Sequence, residues 1–214
     1  AASKNIRPDL MPEFLEAMKK GATSQSENSN YGRRGTKDYL KLGYVPLTHH
    51  ESVNHTLDYA FSDYCISQVA KQTGDKEISD FYAHQAKDYQ NIFDSETGFM
   101  RAKDADGNFR ADFLDIRWGR DYAEGSAWQT SWSVLHDFAG LIKLYGSREN
   151  FENKLIELCN QRPNFNVEGY GFEIHEMSEM AAIEFGQVAI SNQPSFHYPY
   201  LFSYIGKPWM ATPL

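Results

Sequence analysis

The clearest structural signal in this sequence is a helical repeat of apolar residues over Glu51 to Lys71. Its apolar positions recur every three or four residues, which places them on one face of an α-helix: Val53, Leu57, Ala60, Phe61, Tyr64 and Val69. Gly74 is expected to end this helix, because glycine adopts the left-handed conformation at low cost. Asp75 is a typical N-cap for a second helix that runs to about Phe93. The pattern therefore predicts an antiparallel αα-hairpin.

Similar helical patterns cover much of the remaining chain, and almost no segment has the alternation of a strand. The further predicted helices are Pro8 to Lys20, Ser126 to Leu144, Arg148 to Asn160, Phe172 to Phe185 and Pro194 to Tyr204. Helices in successive pairs predict an all-α array of paired antiparallel helices, either a toroid or a solenoid. The absence of a repeat of fixed period disfavours the solenoid. We interpret residues 1–214 as a single helical domain.

One excursion, near residues 95–120, interrupts the helical patterns. It contains an Asp106-Gly107 turn between short extended runs, which predicts a hairpin. The oxygen-bearing side chains of this turn resemble a calcium loop, but an EF-hand needs glycine at position six and glutamate at position twelve. Counted from Asp104, glycine is fourth and Asp115 is twelfth. We therefore favour the hairpin turn.

Charge and cysteine content exclude several classes of function. The formal net charge is −8, from 21 basic and 29 acidic residues, and no run of Lys and Arg exceeds two residues. Nucleic acids and anionic membranes are therefore disfavoured as partners. No apolar run approaches the ~20 residues of a membrane span. Cys65 and Cys159 are too few for a disulfide framework and are expected to be buried free thiols.

A candidate catalytic acid lies in the stretch DYAEGSAWQTSW, residues 121–132. Glu124 stands among Tyr122, Trp128 and Trp132, a recurring arrangement in sugar-binding sites. Aromatic rings cover the apolar face of a pyranose, and an acid can protonate the glycosidic oxygen. The alternative is structural: a carboxylate near the start of a helix also interacts favourably with the helix dipole.

A candidate cation site lies in SNQPSFH, residues 191–197. Pro194 suits the first turn of a helix, and Asn192 and Gln193 precede it with side-chain carbonyl oxygens. Such oxygens are hard ligands that suit Ca²⁺. His197 is expected one turn into the following helix, facing the same end. The alternative is a helix start capped by Asn192 or Gln193.

One further motif resembles a known metal site only in part. The stretch HEMSE, His175 to Glu179, resembles the HExxH helix of zinc proteases but ends in glutamate and lacks an indicated third ligand. We interpret it as a polar helix face. No GxSxG nucleophile motif and no glycine-rich phosphate loop is present in the sequence.

Six segments together resemble the calcium-dependent exo-acting α-mannosidases of glycoside hydrolase family 92. They occur in the family's order and cover most of the chain from Gly43 onward: GYVP (43–46), SVNHTLDYAFSDYCISQVAK (52–71), NIFDSETGFMRAKDADGNF (91–109), AEGSAWQTSWSVLHDFAGLI (123–142), GYGFEIHEMSEMAAIEFGQ (169–187) and SNQPSFHYPYLFSYIGKPW (191–209).

The resemblance implies that the chain is part of an (α/α)6 toroid, a catalytic domain normally preceded by a β-sandwich. It implies calcium-dependent hydrolysis of terminal α-linked mannose from glycans, with inversion. The matching residues imply a general acid at Glu124, substrate contacts at Trp128, Gln129 and His197, and calcium ligands at Asn192 and Gln193.

The chain also departs from the family pattern. Ile190 and Phe196 stand where the family loop usually has histidine, and the family's general base comes from an acidic loop outside this region. We expect a central fragment that is inactive alone and that another chain could complete with the remaining segments of the enzyme. The resemblance suggests a secreted or periplasmic location. Two alternatives stay open: a non-catalytic carbohydrate-binding fragment, and a helical fragment that binds a partner.

Overall fold

The computed structural model describes residues 2–4, 6–28 and 31–211, and this part of the chain is mainly helical. Its α-helices are α1 (Met11–Thr23), α2 (Thr36–Leu42), α3 (Ser52–Thr73), α4 (Lys76–Gln85), α5 (Ala127–Thr130), α6 (Phe138–Leu144), α7 (Arg148–Asn160), α8 (His175–Ile183) and α9 (Tyr198–Tyr204). Its short strands are β1 (Phe93–Asp94), β2 (Phe99–Met100), β3 (Arg117–Gly119) and β4 (Asn166–Gly169). The predicted helical class is confirmed, whereas the toroid stays a prediction.

The chain divides into two compact units. The first unit comprises Ala1–Ile92 and Lys103–Asn108, and the second comprises Phe93–Ala102 and Phe109–Leu214. The single-domain interpretation stays a prediction.

The αα-hairpin predicted from the helical repeat is present in the first unit as α3 and α4. Gly74 ends α3 with a φ of 81°, and the Asp75 carboxylate accepts a hydrogen bond from the Ile78 amide at 3.1 Å. The predicted face of α3 is buried except at Phe61, which is exposed, and Tyr64, which is half-buried. The α4 helix is shorter than predicted, because a 3-10 turn over Asp88–Ile92 replaces its last part.

The helix predicted near the N-terminus is also present, but its packed face differs from the expectation. In α1 only Leu15 and Ala22 are buried, in a cluster with residues of α3 and α4. The sequence predicts Leu10, Phe14, Leu15 and Met18 on one apolar side of this helix, but Leu10 and Phe14 are 41% and 47% exposed. That part of the prediction is wrong, since apolar spacing alone does not show which side of a helix has a neighbour.

In the second unit the long helix predicted over Ser126 to Leu144 is wrong as a single element. The α5 helix ends after Thr130, turns follow, and α6 begins after Asp137. The Asp137 carboxylate caps α6 by accepting a hydrogen bond from the Gly140 amide at 2.8 Å. This local side-chain bond favours a new helix start over a continuous helix.

The turn predicted at Asp106-Gly107 is present, and a strand pair that was not predicted precedes it. In the second unit β1 and β2 pair antiparallel, with Phe93 opposite Met100. In the first unit the predicted turn closes where the Asp104 amide donates to the Asn108 carbonyl oxygen at 2.9 Å. The Asp104 carboxylate accepts hydrogen bonds from the amides of Asp106 and Asn108, so it acts as a turn residue.

A parallel pairing of β3 with β4 in the second unit has no counterpart in the sequence prediction. Arg117 lies opposite Asn166, and Gly119 lies opposite Gly169. These strands are too short to show alternation, so only their tertiary contact identifies them.

Two expectations from the sequence concern membrane spans and cysteines, and the cysteines differ from their expectation in being half-buried instead of buried. No helix in the described ranges is long and apolar enough to span a membrane. Cys65 and Cys159 are free and half-buried, and burial raises the pKa of both thiols, that of Cys159 to about 11.

Candidate active site

The β3–β4 pairing brings Tyr170, which directly follows β4, beside the loop that carries Glu124. Two glycines permit this close approach. A Cβ atom on Gly169 would lie 2.1 Å from the Trp118 carbonyl oxygen, and one on Gly119 would lie 2.8 Å from the Tyr170 ring. Side chains at these positions would therefore force the strands and the ring apart.

Glu124 has a left-handed backbone with a φ of 46°. This conformation costs a non-glycine residue about 1–3 kcal/mol and persists only where its surroundings hold it. Two hydrogen bonds do so here. The Glu124 amide donates to the Tyr170 hydroxyl oxygen at 2.7 Å, and its carbonyl oxygen accepts from Asn192 Nδ2 at 3.0 Å. The Glu124 side chain itself is exposed.

The aromatic residues near Glu124 in sequence belong to the core of the second unit. Tyr122 and Trp132 are buried, and Trp128 is only 2% exposed. The Trp128 ring donates from Nε1 to Asp115 Oδ2 at 3.1 Å, and Lys154 Nζ lies 4.3 Å from the ring centroid. A ring in this position supports the chain beneath Glu124 and presents no open face to a sugar.

The Gln129 side chain also makes hydrogen bonds within the second unit through both its oxygen and its nitrogen. Its Oε1 accepts hydrogen bonds from the amide and the hydroxyl of Ser126, which completes a capping box at the start of α5. Its Nε2 donates to the Gln187 carbonyl oxygen at 2.7 Å. Gln129 thus ties the segment after Glu124 to the segment that precedes residues 191–197.

The second predicted motif, residues 191–197, and Tyr198 at the start of α9 contact the same segment. Tyr198 Oη donates to the Gln129 carbonyl oxygen at 2.6 Å, and His197 Nε2 donates to the Trp132 carbonyl oxygen at 2.9 Å. The His197 ring also stacks on Phe138, with centroids 6.2 Å apart. Burial lowers the pKa of His197, which favours the neutral ring. The structure therefore brings together the two motifs that the sequence singled out.

The donor set of this loop is compatible with part of a calcium site. Asn192 is 3% exposed and uses Nδ2 for Glu124, while no donor among the described residues reaches its Oδ1. Gln193 is exposed. Within residues 2–4, 6–28 and 31–211, no three His, Cys, Asp or Glu side chains are grouped to hold a metal. Neutral amide oxygens suit Ca²⁺, but the ion takes 6–8 oxygen ligands.

The HEMSE motif forms a polar face on α8, as expected. The exposed His175 ring pairs with the carboxylates of Glu176 and Glu179. Hydrogen bonds from Ser191 and His175 lower the pKa of Glu179. These contacts pair the polar side chains of the motif with one another.

Two residues that organise this region, Tyr170 and Gln187, were not predicted from the sequence. Gln187 is buried and donates from Nε2 to the carbonyl oxygens of Arg162 and Asn164. Gly169, directly before Tyr170, was the available signal, because glycine in an extended segment often marks a place where another backbone approaches closely.

Comparison with known proteins identifies the family of the chain. The family model for the catalytic domain of glycosyl hydrolase family 92 matches residues 1–214. A curated relative, described as an uncharacterized secreted glycosidase of Arthroderma benhamiae, is 24% identical over 98% of this chain. The chain spans only 28% of the length of that relative.

Solved structures of mannosidases are also similar. A family GH92 inverting mannosidase of Bacteroides thetaiotaomicron is 41% identical, with a TM-score of 0.79 over 93% of this chain and 27% of its own length. A family GH92 α-mannosidase of the same species, in complex with mannoimidazole, is 33% identical, with a TM-score of 0.78 over 94% of this chain and 26% of its own length.

Proposed function

The chain belongs to glycosyl hydrolase family 92, and we propose that it carries the general acid of an α-mannosidase. The other catalytic groups of that enzyme would come from family segments outside these 214 residues. The matched structures support this proposal, because this chain corresponds to about a quarter of each (27% and 26%). The substrate would be terminal α-linked mannose of a glycan.

The observation that carries the proposal is the conformation of Glu124. Its carboxylate is exposed, while its backbone is strained and held from both sides by Tyr170 and Asn192. Strained backbone that the surroundings enforce is concentrated at functional sites, because it aims a side chain in a fixed direction.

In the proposed reaction Glu124 protonates the glycosidic oxygen as the bond to the leaving group breaks. An inverting glycosidase also needs a carboxylate base ~6.5–9.5 Å away, which activates water on the opposite face of the sugar. We assign that base to a segment outside this chain. It follows that the isolated chain would be inactive and would need the remaining segments, supplied in the same or another polypeptide.

Asn192 and Gln193 would hold Ca²⁺ through their side-chain oxygens. When bound, the ion would supply coordination of the sugar hydroxyls. Asn192 would then have two roles, because its Nδ2 supports the Glu124 carbonyl while its Oδ1 remains available as a ligand. The further ligands would come from the rest of the enzyme.

The positions of Trp128, Gln129 and His197 in the structure lead us to propose other roles for them than sugar contact. Trp128 and Gln129 are buried, so we propose that they hold the start of α5 beneath Glu124 instead of touching the sugar. His197 is half-buried and is proposed to link the calcium loop to the Trp132 carbonyl. A secreted or periplasmic location is proposed from the family and from the relative described as secreted.

The test is hydrolysis of an aryl α-mannoside, with calcium present, by the complete enzyme that contains this segment. Glu124→Gln should lower kcat by about 10²–10⁴-fold, the usual contribution of a general acid. Glu184→Gln is the matched control, because Glu184 is also exposed and left-handed, with a φ of 54°. Equal turnover by Glu124→Gln and wild type would refute the acid assignment.

A second candidate, a fragment that binds a partner without catalysis, is favoured by the exposed apolar face of α1. Phe14 lies on that face, and Leu10, directly before the helix, is also exposed. If this is the whole function, the chain binds neither mannose nor calcium, and calorimetry with and without a chelator shows no heat of binding.

A further inference from the structure

We infer that Tyr170 is a positioning residue for the general acid: its hydroxyl fixes the backbone of Glu124 and thereby aims the carboxylate at the leaving-group oxygen. This inference rests on the proposed function. It concerns a residue that touches the backbone of the acid and not the sugar.

The first step is the direct contact. The Tyr170 hydroxyl oxygen accepts the Glu124 amide proton over a donor–acceptor distance of 2.7 Å, a short hydrogen bond for an amide donor. The two residues are 46 positions apart in the sequence. The bond is therefore made by tertiary structure and not by a local turn.

The second step is the rigidity of the tyrosine. Its ring packs against a buried cluster formed by Trp118, Met177, Met180 and Ala189. The pairing of Gly119 with Gly169 brings β4 against the loop before Glu124. The same loop is closed by a hydrogen bond from the Gly119 amide to the Gly125 carbonyl oxygen at 3.1 Å. A ring held by core packing gives the hydroxyl a fixed position.

The third step is the consequence for the carboxylate. Glutamate rarely adopts a positive φ, so without its hydrogen-bond partners the Glu124 backbone would relax toward a negative φ. Rotation about this bond swings the side chain to a new direction. Asn192 holds the carbonyl side of the residue and Tyr170 holds the amide side. Tyr170 is the one of the two that has no proposed part in binding calcium.

The test compares Tyr170→Phe with wild type in the complete enzyme on two substrates. Dinitrophenolate leaves without a proton, whereas the alkoxide of methyl α-mannoside needs one from the acid. We expect kcat to fall about tenfold or more on methyl α-mannoside and less than about twofold on 2,4-dinitrophenyl α-mannoside, with KM nearly unchanged. Tyr200→Phe is the control, because Tyr200 is 70% exposed and its hydroxyl makes no bond to a described residue.

A loss that is equal on both substrates would show a general structural role and overturn the inference, as would no loss on either. If Glu124→Gln lacks the loss on methyl α-mannoside, the proposed function itself fails. If Glu124→Gln shows that loss and Tyr170→Phe does not, only this inference fails.

A second measurement does not depend on the folding of a variant. In the unmodified chain the Glu124 amide should exchange with solvent deuterium at least about tenfold more slowly than the unfolded rate, although the residue is exposed. Exchange at the unfolded rate would show that the bond to Tyr170 is not maintained, and would overturn the inference.

Discussion

Each compact unit contains a carboxylate that is associated with aromatic residues: Asp63 in the first and Glu124 in the second. The Asp63 side chain is fully buried and accepts hydrogen bonds from Arg33 Nη2 at 2.6 Å and from Tyr39 Oη at 2.8 Å. The Arg33 guanidinium also lies 4.9 Å from the centroid of the Tyr59 ring. Glu124 shows the opposite arrangement: its backbone makes the hydrogen bonds, and its side chain is exposed.

The difference separates a structural carboxylate from a catalytic candidate. The oxygens of Asp63 are used to compensate a buried arginine, so they are not available to a ligand. Glu124 has its backbone fixed and its carboxylate left accessible, which is what proton donation to a substrate requires. Nearby aromatic residues occur in both cases and therefore do not distinguish them.

The largest expected effect is on stability in the first unit. Asp63→Ala should lower the free energy of unfolding by about 3–5 kcal/mol, because it leaves the Arg33 charge buried without its partner. Urea denaturation of the chain measures this. A loss below about 1 kcal/mol would contradict the structural role of Asp63.

A second prediction concerns Asp88, also in the first unit. Burial, reinforced by the negative charge of Asp63, raises the pKa of Asp88 from 3.8 to about 7. The folded chain therefore binds more protons than the unfolded chain between about pH 4 and pH 7, and this group destabilises the fold fully only above that range. Asp88→Asn should raise Tm at pH 8 and leave it unchanged at pH 4. An equal Tm at pH 8 would contradict the burial of a charged Asp88.

The smallest expected effect is at Glu124 itself. Glycine adopts a positive φ without strain, so Glu124→Gly should raise the free energy of unfolding by up to about 1 kcal/mol while it removes the acid. Glu184→Gly, at another left-handed position, should show a similar gain without loss of activity. A destabilised Glu124→Gly chain would indicate that the Glu124 side chain has a structural role.

The two units also differ in how much of their structure the sequence predicts. In the first unit the helical repeat of α3, Gly74 and Asp75 act locally, so the hairpin was predictable. In the second unit the two motifs were found from composition and resemblance. The bond that joins them, from Asn192 to Glu124, spans 68 positions. The bond from Glu124 to Tyr170 spans 46 positions, and Tyr170 directly follows β4 in the β3–β4 pairing. Periodicity carries no information on such contacts.

Local sequence patterns gave wrong expectations for features that tertiary packing and capping determine. The rings of Trp128 and Trp132 suggested a sugar platform, but both are buried because the second unit needs large side chains in its core. Similarly, Asp137 starts a new helix by capping, although the apolar pattern continues across it.

The central claim is that Glu124 donates a proton to the leaving group, and its most direct test is the leaving-group dependence of Glu124→Gln in the complete enzyme. The account predicts that kcat on methyl α-mannoside falls by at least about 10²-fold while kcat on 2,4-dinitrophenyl α-mannoside stays within about tenfold of wild type. Equal losses on the two substrates, or no loss on either, would contradict it.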